Sequence, residues 1–86
     1  MNPHIILGVH VTDRLKNAAM VQALFTEYGS HIRTRLGLHE VDGTPSGPNG
    51  VVLLELVGNA AKCDELATRL GAIEGVEVQR MVFGHK

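Results

Sequence analysis

What this chain has little of already narrows its chemistry. Among 86 residues there is one cysteine, no tryptophan, one tyrosine and two phenylalanines. A lone Cys63 cannot form an intramolecular disulfide or a multi-thiolate metal site, and its place in a helical apolar pattern reads as simple packing. Neither sign of charge is in excess. Eight basic residues against nine acidic ones give a net charge of -1, which leaves no electrostatic footprint for DNA, RNA or an anionic membrane. No apolar run approaches the ~18 residues of a membrane span. Met1-Asn2-Pro3-His4 carries neither the basic region nor the cleavage site of a secretory signal, so the expectation is a cytoplasmic chain. Catalytic constellations are also missing. Neither a Ser-His-Asp or Cys-His arrangement with local support nor a glycine-rich phosphate loop ahead of a helix can be picked out, and the expectation is a binding module, not an enzyme.

What is present is an ordinary globular composition, 44% hydrophobic and 20% charged, in a chain long enough for one domain. A domain of this size buries only ~60 to 65% of its unfolded surface, so self-association would add useful stability. Ile5-Ile6-Leu7-Gly8-Val9-His10-Val11 is short, rich in β-branched residues and closed by Thr12-Asp13, which predicts a buried strand with Asp13 as N-cap of the next element. From Arg14 to Tyr28, the residues Ala18, Val21, Leu24, Phe25 and Tyr28 recur at helical spacing, and Gly29 marks the stop. His31 to Val41 alternates, with Ile32, Thr34, Leu36 and Leu38 on one side and Arg33, Arg35, Gly37 and His39 on the other, predicting a half-buried strand. The turn-forming stretch from Asp42 to Gly50 then reads as a long hairpin loop. Val51 to Val57 is nearly all aliphatic and predicts a central strand, while Cys63, Leu66, Ala67, Leu70 and Ile73 form a helical stripe capped by Asn59. Val76 to Phe83 completes the pattern as a last strand.

The order β-α-β-β-α-β is that of the ferredoxin-like split βαβ motif, a single α+β domain over residues 1–86 whose antiparallel sheet has spatial order 4-1-3-2 and carries both helices on one face. Alternation then predicts the side chains of the open face. These are His4, Ile6, Gly8 and His10 on the first strand, and Val51, Leu53, Glu55 and Val57 on the third. The second strand would add Arg33, Arg35, Gly37 and His39, and the fourth Glu77, Gln79, Met81 and Phe83. A patch of Ile6, Val51, Leu53, Met81 and Phe83 is large for a monomer and predicts an oligomer interface in a dimer or tetramer, or a surface that docks a protein partner.

His10 and His39 fall at one end of this sheet, ~10 Å apart across two strand spacings. They read either as hydrogen-bonded interface histidines or as ligands to a divalent transition metal shared with a second subunit. Arg35 and Glu55 read either as a cross-strand ion pair or, with Arg33 and Asp13-Arg14, as a site for a small anionic effector. His10, Asp13, Arg35, His39 and Glu55 are the candidate ligand-binding set; the composition does not name the ligand.

Several stretches carry a family resemblance. Gly8-Val9-His10-Val11-Thr12-Asp13-Arg14, Glu27-Tyr28-Gly29, and Ile32-Arg33-Thr34-Arg35-Leu36-Gly37-Leu38-His39-Glu40-Val41 are joined by Pro48-Asn49-Gly50, Leu53-Leu54-Glu55-Leu56 and Ile73-Glu74-Gly75-Val76-Glu77-Val78-Gln79. Over nearly the whole length, from Ile5 to Phe83, the chain resembles the small iron-only hydrogenase system regulators, which have an ACT-like fold. The resemblance implies a regulatory domain associated with hydrogenase systems, forming dimers or higher oligomers. Chains similar to amino-acid-binding ACT domains carry a glycine just after the first strand, where this one has Leu15 and Lys16. The C-terminal domain of nickel-responsive repressors is similar too. Its metal site would need histidines at positions 37, 39 and near 26 and a cysteine near 50, where this chain has Gly37, His39, Thr26 and Gly50. The likeness to those repressors thus implies neither their square-planar nickel site nor, with no segment to spare for one, a DNA-binding domain.

Overall fold

Along the first strand, side chains alternate between full burial and partial exposure from His4 to Val11. Ile5, Leu7, Val9 and Val11 point into a core, and His4, Ile6, Gly8 and His10 point away from it. A computed structural model of the chain describes residues 4–12, 14–38 and 50–84. Within it the elements run β1 (His4–Val11), α1 (Arg14–Glu27), a 3-10 turn (Gly29–His31), β2 (Ile32–Leu38), β3 (Gly50–Leu56), α2 (Ala60–Gly71) and β4 (Val76–Phe83). The four strands form one antiparallel sheet in the order β2-β3-β1-β4, with the two helices against one face, the ferredoxin-like α+β arrangement expected of this sequence. No helix among the described residues is long and apolar enough to cross a membrane.

Both helices supply the residues their periodicity announced. Val21, Leu24, Phe25 and Tyr28 come from α1 and its C-terminal turn, and Cys63, Leu66, Ala67 and Leu70 from α2. They close over Leu7, Val9, Leu54 and Leu56 in a single core. The Asn59 side chain accepts a hydrogen bond of 2.7 Å from the Ala61 amide and so caps α2 as expected. Cys63 is buried, and that burial pushes its thiol pKa up, which keeps it protonated and inert as a packing residue should be. Across the helix layer, Arg69 of α2 donates to Glu27 and, at 3.1 Å, to the Tyr28 hydroxyl, and its guanidinium lies over the Tyr28 ring. The carboxylate and phenol raise its pKa further.

One buried polar residue does the joining that apolar packing cannot. Asn17, on α1, is 5% exposed and donates from Nδ2 to the carbonyls of Thr12 and Glu74, both at 3.0 Å. It thereby ties the end of β1 to the turn before β4. That turn needs Gly75 at a φ of 85°, and a Cβ there would stand 3.0 Å from Asn17 Nδ2 and 3.2 Å from the Thr12 carbonyl oxygen.

The second strand departs from strict alternation. Ile32 sits opposite Leu56 but Thr34 sits opposite Glu55, so two residues of β2 are spent on one of β3 and Arg33 is the extra residue of a β-bulge. Beyond the bulge every side chain of β2 has changed face. Thr34, Leu36 and Leu38 pair with the outward-facing Glu55, Leu53 and Val51, while Arg35 and Gly37 pair with the inward-facing Leu54 and Val52. The expectation that Arg35 and Gly37 lie on the open face, with Thr34, Leu36 and Leu38 beneath the helices, is therefore overturned by this one inserted residue.

Candidate functional site

The open face of the sheet can be read as three cross-strand rows. The first runs Thr34, Glu55, Ile6, Met81; the second Leu36, Leu53, Gly8, Gln79; the third Leu38, Val51, His10, Glu77. His4 and Phe83 pair beyond the first row, with ring centroids 6.1 Å apart. All five residues expected at an interface, Ile6, Val51, Leu53, Met81 and Phe83, stand on this face. The bulge adds Leu36 and Leu38 to them. Leu36 is 53% exposed, and Leu38, Met81 and Phe83 are exposed to a similar degree. A continuous apolar band crosses all four strands as a result.

Polar groups occupy two opposite corners. In one, the Thr34 hydroxyl donates to Glu55 at 2.8 Å and His4 Nε2 donates to the other carboxylate oxygen at 2.9 Å. These two hydrogen bonds, the threonine's first, hold the Glu55 pKa below the ordinary glutamate value, helped by the positive charge of Arg33. Glu55 is therefore a partnered carboxylate on the rim of the apolar band. Its partners differ from the expected ion pair with Arg35, because the bulge moves Arg35 to the other side of the sheet. There its guanidinium stacks 4.9 Å from the centre of the Phe25 ring.

In the other corner His10 lies between Val51 on β3 and Glu77 on β4, beside a shallow depression of about 160 Å³ whose floor is the bare backbone of Gly8. His39 and Asp13 lie outside the described residues. The structure thus brings together His10, Glu77 and the apolar band, and places Glu55 at the far end of the same face. Among the described residues no group of three His, Cys, Asp or Glu side chains is placed to hold a metal ion.

The residues that the alternation pattern misplaced are Thr34, Leu36 and Leu38, together with Arg35 and Gly37 between them. A bulge leaves no mark in a period-two reading, since either set of β2 side chains forms a consistent face; the polar run Arg33-Thr34-Arg35 is the local interruption that coincides with it. Asn17 carries no such local signal, because one amide within an amphipathic helix looks like any solvated position.

No family model matches the chain, and no curated protein matches it. Among solved structures the chain is similar to an uncharacterized protein from Thermotoga maritima, with a TM-score of 0.78 and 26% sequence identity, over 92% of this chain and 94% of that one. The likeness supports a ferredoxin-like small-domain fold across almost the full length of both chains.

Proposed function

We propose that this chain is a small ACT-like regulatory module that works as a homo-oligomer, a dimer or tetramer assembled through the open face of its sheet, and that it acts by binding and not by catalysis. The observation that carries this reading is the apolar band of Ile6, Leu36, Leu38, Val51, Leu53, Met81 and Phe83. Four strands at ~4.8 Å spacing and eight residues at ~3.3 Å rise give the face about 500 Å² in projection, and more once its corrugation is counted. That approaches the ~800 Å² per partner of a standard interface, so a second copy of the same face is an occupant of the right size. Polar corners at opposite ends of the band, Glu55 with His4 and Glu77 with His10, suit the polar rim of such an interface.

The motif from Arg35 to His39 supports the finer reading that the module belongs with the iron-only hydrogenase system regulators. His10 at the edge of the band would then place an effector site at a subunit boundary. The test is sedimentation velocity on the wild type and on Leu53→Lys, with circular dichroism as the check on folding. A charge at the centre of the band should yield a folded monomer. An oligomer that survives Leu53→Lys, or a wild type that is monomeric at high concentration, would overturn the proposal.

A further inference from the structure

The reversed face of β2 leaves a gap on the helix side of the sheet. Gly37 occupies the inward position opposite Val52 that a side chain would otherwise fill, and a Cβ built there meets nothing within 4 Å. Above it stand Ala18, Val21 and Phe25 of α1, and between them is a cavity of about 140 Å³. A volume of ~150 Å³ is enough to admit a ring the size of benzene. Its walls are aliphatic and aromatic, with Gln22 at the margin.

A cation shares one wall of this cavity: Phe25 lines it and also lines a neighbouring hollow formed with Thr26, Gly29, Ile32 and Arg35. Arg35 is two residues before Gly37 on the same inward side, and its guanidinium lies over Phe25, the ring that also lines the cavity. Stacking holds the plane of the guanidinium but leaves its N–H edge for an acceptor. Among the described residues the arginine ion pairs are those of Arg69 with Glu27 and Arg80 with Asp64; no carboxylate reaches Arg35.

We infer that this cavity binds a small carboxylate with an apolar body, an aryl or branched-alkyl acid, whose carboxylate pairs with Arg35 while its body lies over Gly37 beneath Val21 and Phe25. The site lies within one subunit, on the helix side of the sheet, with Leu38 and Val51 of the apolar band at its border, and its test reads ligand binding, not assembly. The guanidinium supplies a bidentate partner for the carboxylate, and the cavity selects for a body that fills it.

The experiment is a titration of the full chain with phenylacetate, 3-phenylpropionate and 4-methylpentanoate, followed by amide chemical shifts, with acetate and phenylacetamide as controls. At least one of the three acids should bind saturably with a Kd below ~1 mM, within reach of ligands of about ten non-hydrogen atoms. The shifted amides should include Ala18, Gly37 and Val52. Acetate, which lacks the body and its apolar burial, should bind at least ~10-fold more weakly, and so should phenylacetamide, which lacks the charge, by the difference one charge-assisted pair supplies. Arg35→Gln should weaken binding by the same factor. Gly37→Val should abolish it while keeping the melting temperature, because the valine side chain enters open space. If no acid binds saturably, if acetate or the amide binds equally well, or if the shifts map to the open face, the inference is wrong. Should Gly37→Val fail to fold, Arg35→Gln and the acid–amide pair still decide.

Discussion

Leu36→Ala is the substitution on which the face reversal and the assembly can be judged together. Truncation removes three carbons, worth ~0.8 kcal/mol each when wholly transferred from water. Leu36 is 53% exposed, so about half of that, ~1.2 kcal/mol, is left for association to bury. A two-fold dimer buries two copies, which makes ~2.4 kcal/mol, or about a 50-fold weaker Kd. Val82 is the matched control. It is also 53% exposed, but it pairs with the inward-facing Ile5 and so belongs to the opposite side of the sheet. Sedimentation across a dilution series should show Leu36→Ala weakening assembly by about that factor and Val82→Ala leaving it unchanged. Thermal unfolding in the Leu53→Lys background, free of assembly, isolates the fold itself. Were Leu36 beneath the helices, as plain alternation has it, truncation would cost ~2 to 5 kcal/mol and lower the melting temperature by ~10 °C or more. On the open face it should lower it by a few degrees at most. An unchanged dissociation constant, an equal effect of Val82→Ala, or a large drop in melting temperature would each refute the reasoning.

Two further outcomes concern single residues. Asn17→Ala should cost ~2 to 3 kcal/mol in urea unfolding, since it leaves the Thr12 and Glu74 carbonyls without their donor, and a loss under ~0.5 kcal/mol would show that water replaces the amide. The Glu55 carboxyl carbon should titrate below the ordinary value of 4.5 in NMR. Because the folded value is the lower one, the stabilisation is complete above the unfolded pKa and is lost as pH falls through the folded one. Glu55→Gln should therefore flatten the acid limb of the stability profile, and an unaltered limb would count against the Thr34 and His4 hydrogen bonds.

Most of the architecture was legible because it rests on signals that local pattern carries. The aliphatic alternation from Ile5 to Val11, the stripe Cys63, Leu66, Ala67 and Leu70, and the Asn59 cap each specify an element and the face it buries. Chirality and connectivity then leave few ways to assemble the elements. What escaped depends on contacts between segments far apart in the chain. The bulge is a property of the β2–β3 ladder, not of β2 alone, and Asn17 becomes structural only once Thr12 and Glu74 converge on it. The site was legible in proportion. Ile6, Val51, Leu53, Met81 and Phe83 lie on strands without irregularity and came out on the expected face, whereas Arg35, one strand away, did not.

The bulge at Arg33 also gives β2 something like a reading frame. Past it, the strand spells two messages in alternate letters: leucines toward the outer face, and an arginine and a glycine toward the helices. An insertion or deletion of one residue between Arg33 and Thr34 would exchange the two, burying the leucines and turning the cation outward, so both surfaces would be lost together. Point substitutions alter one message at a time. A change in the length of this segment therefore disturbs more of the surface than a change in any residue within it.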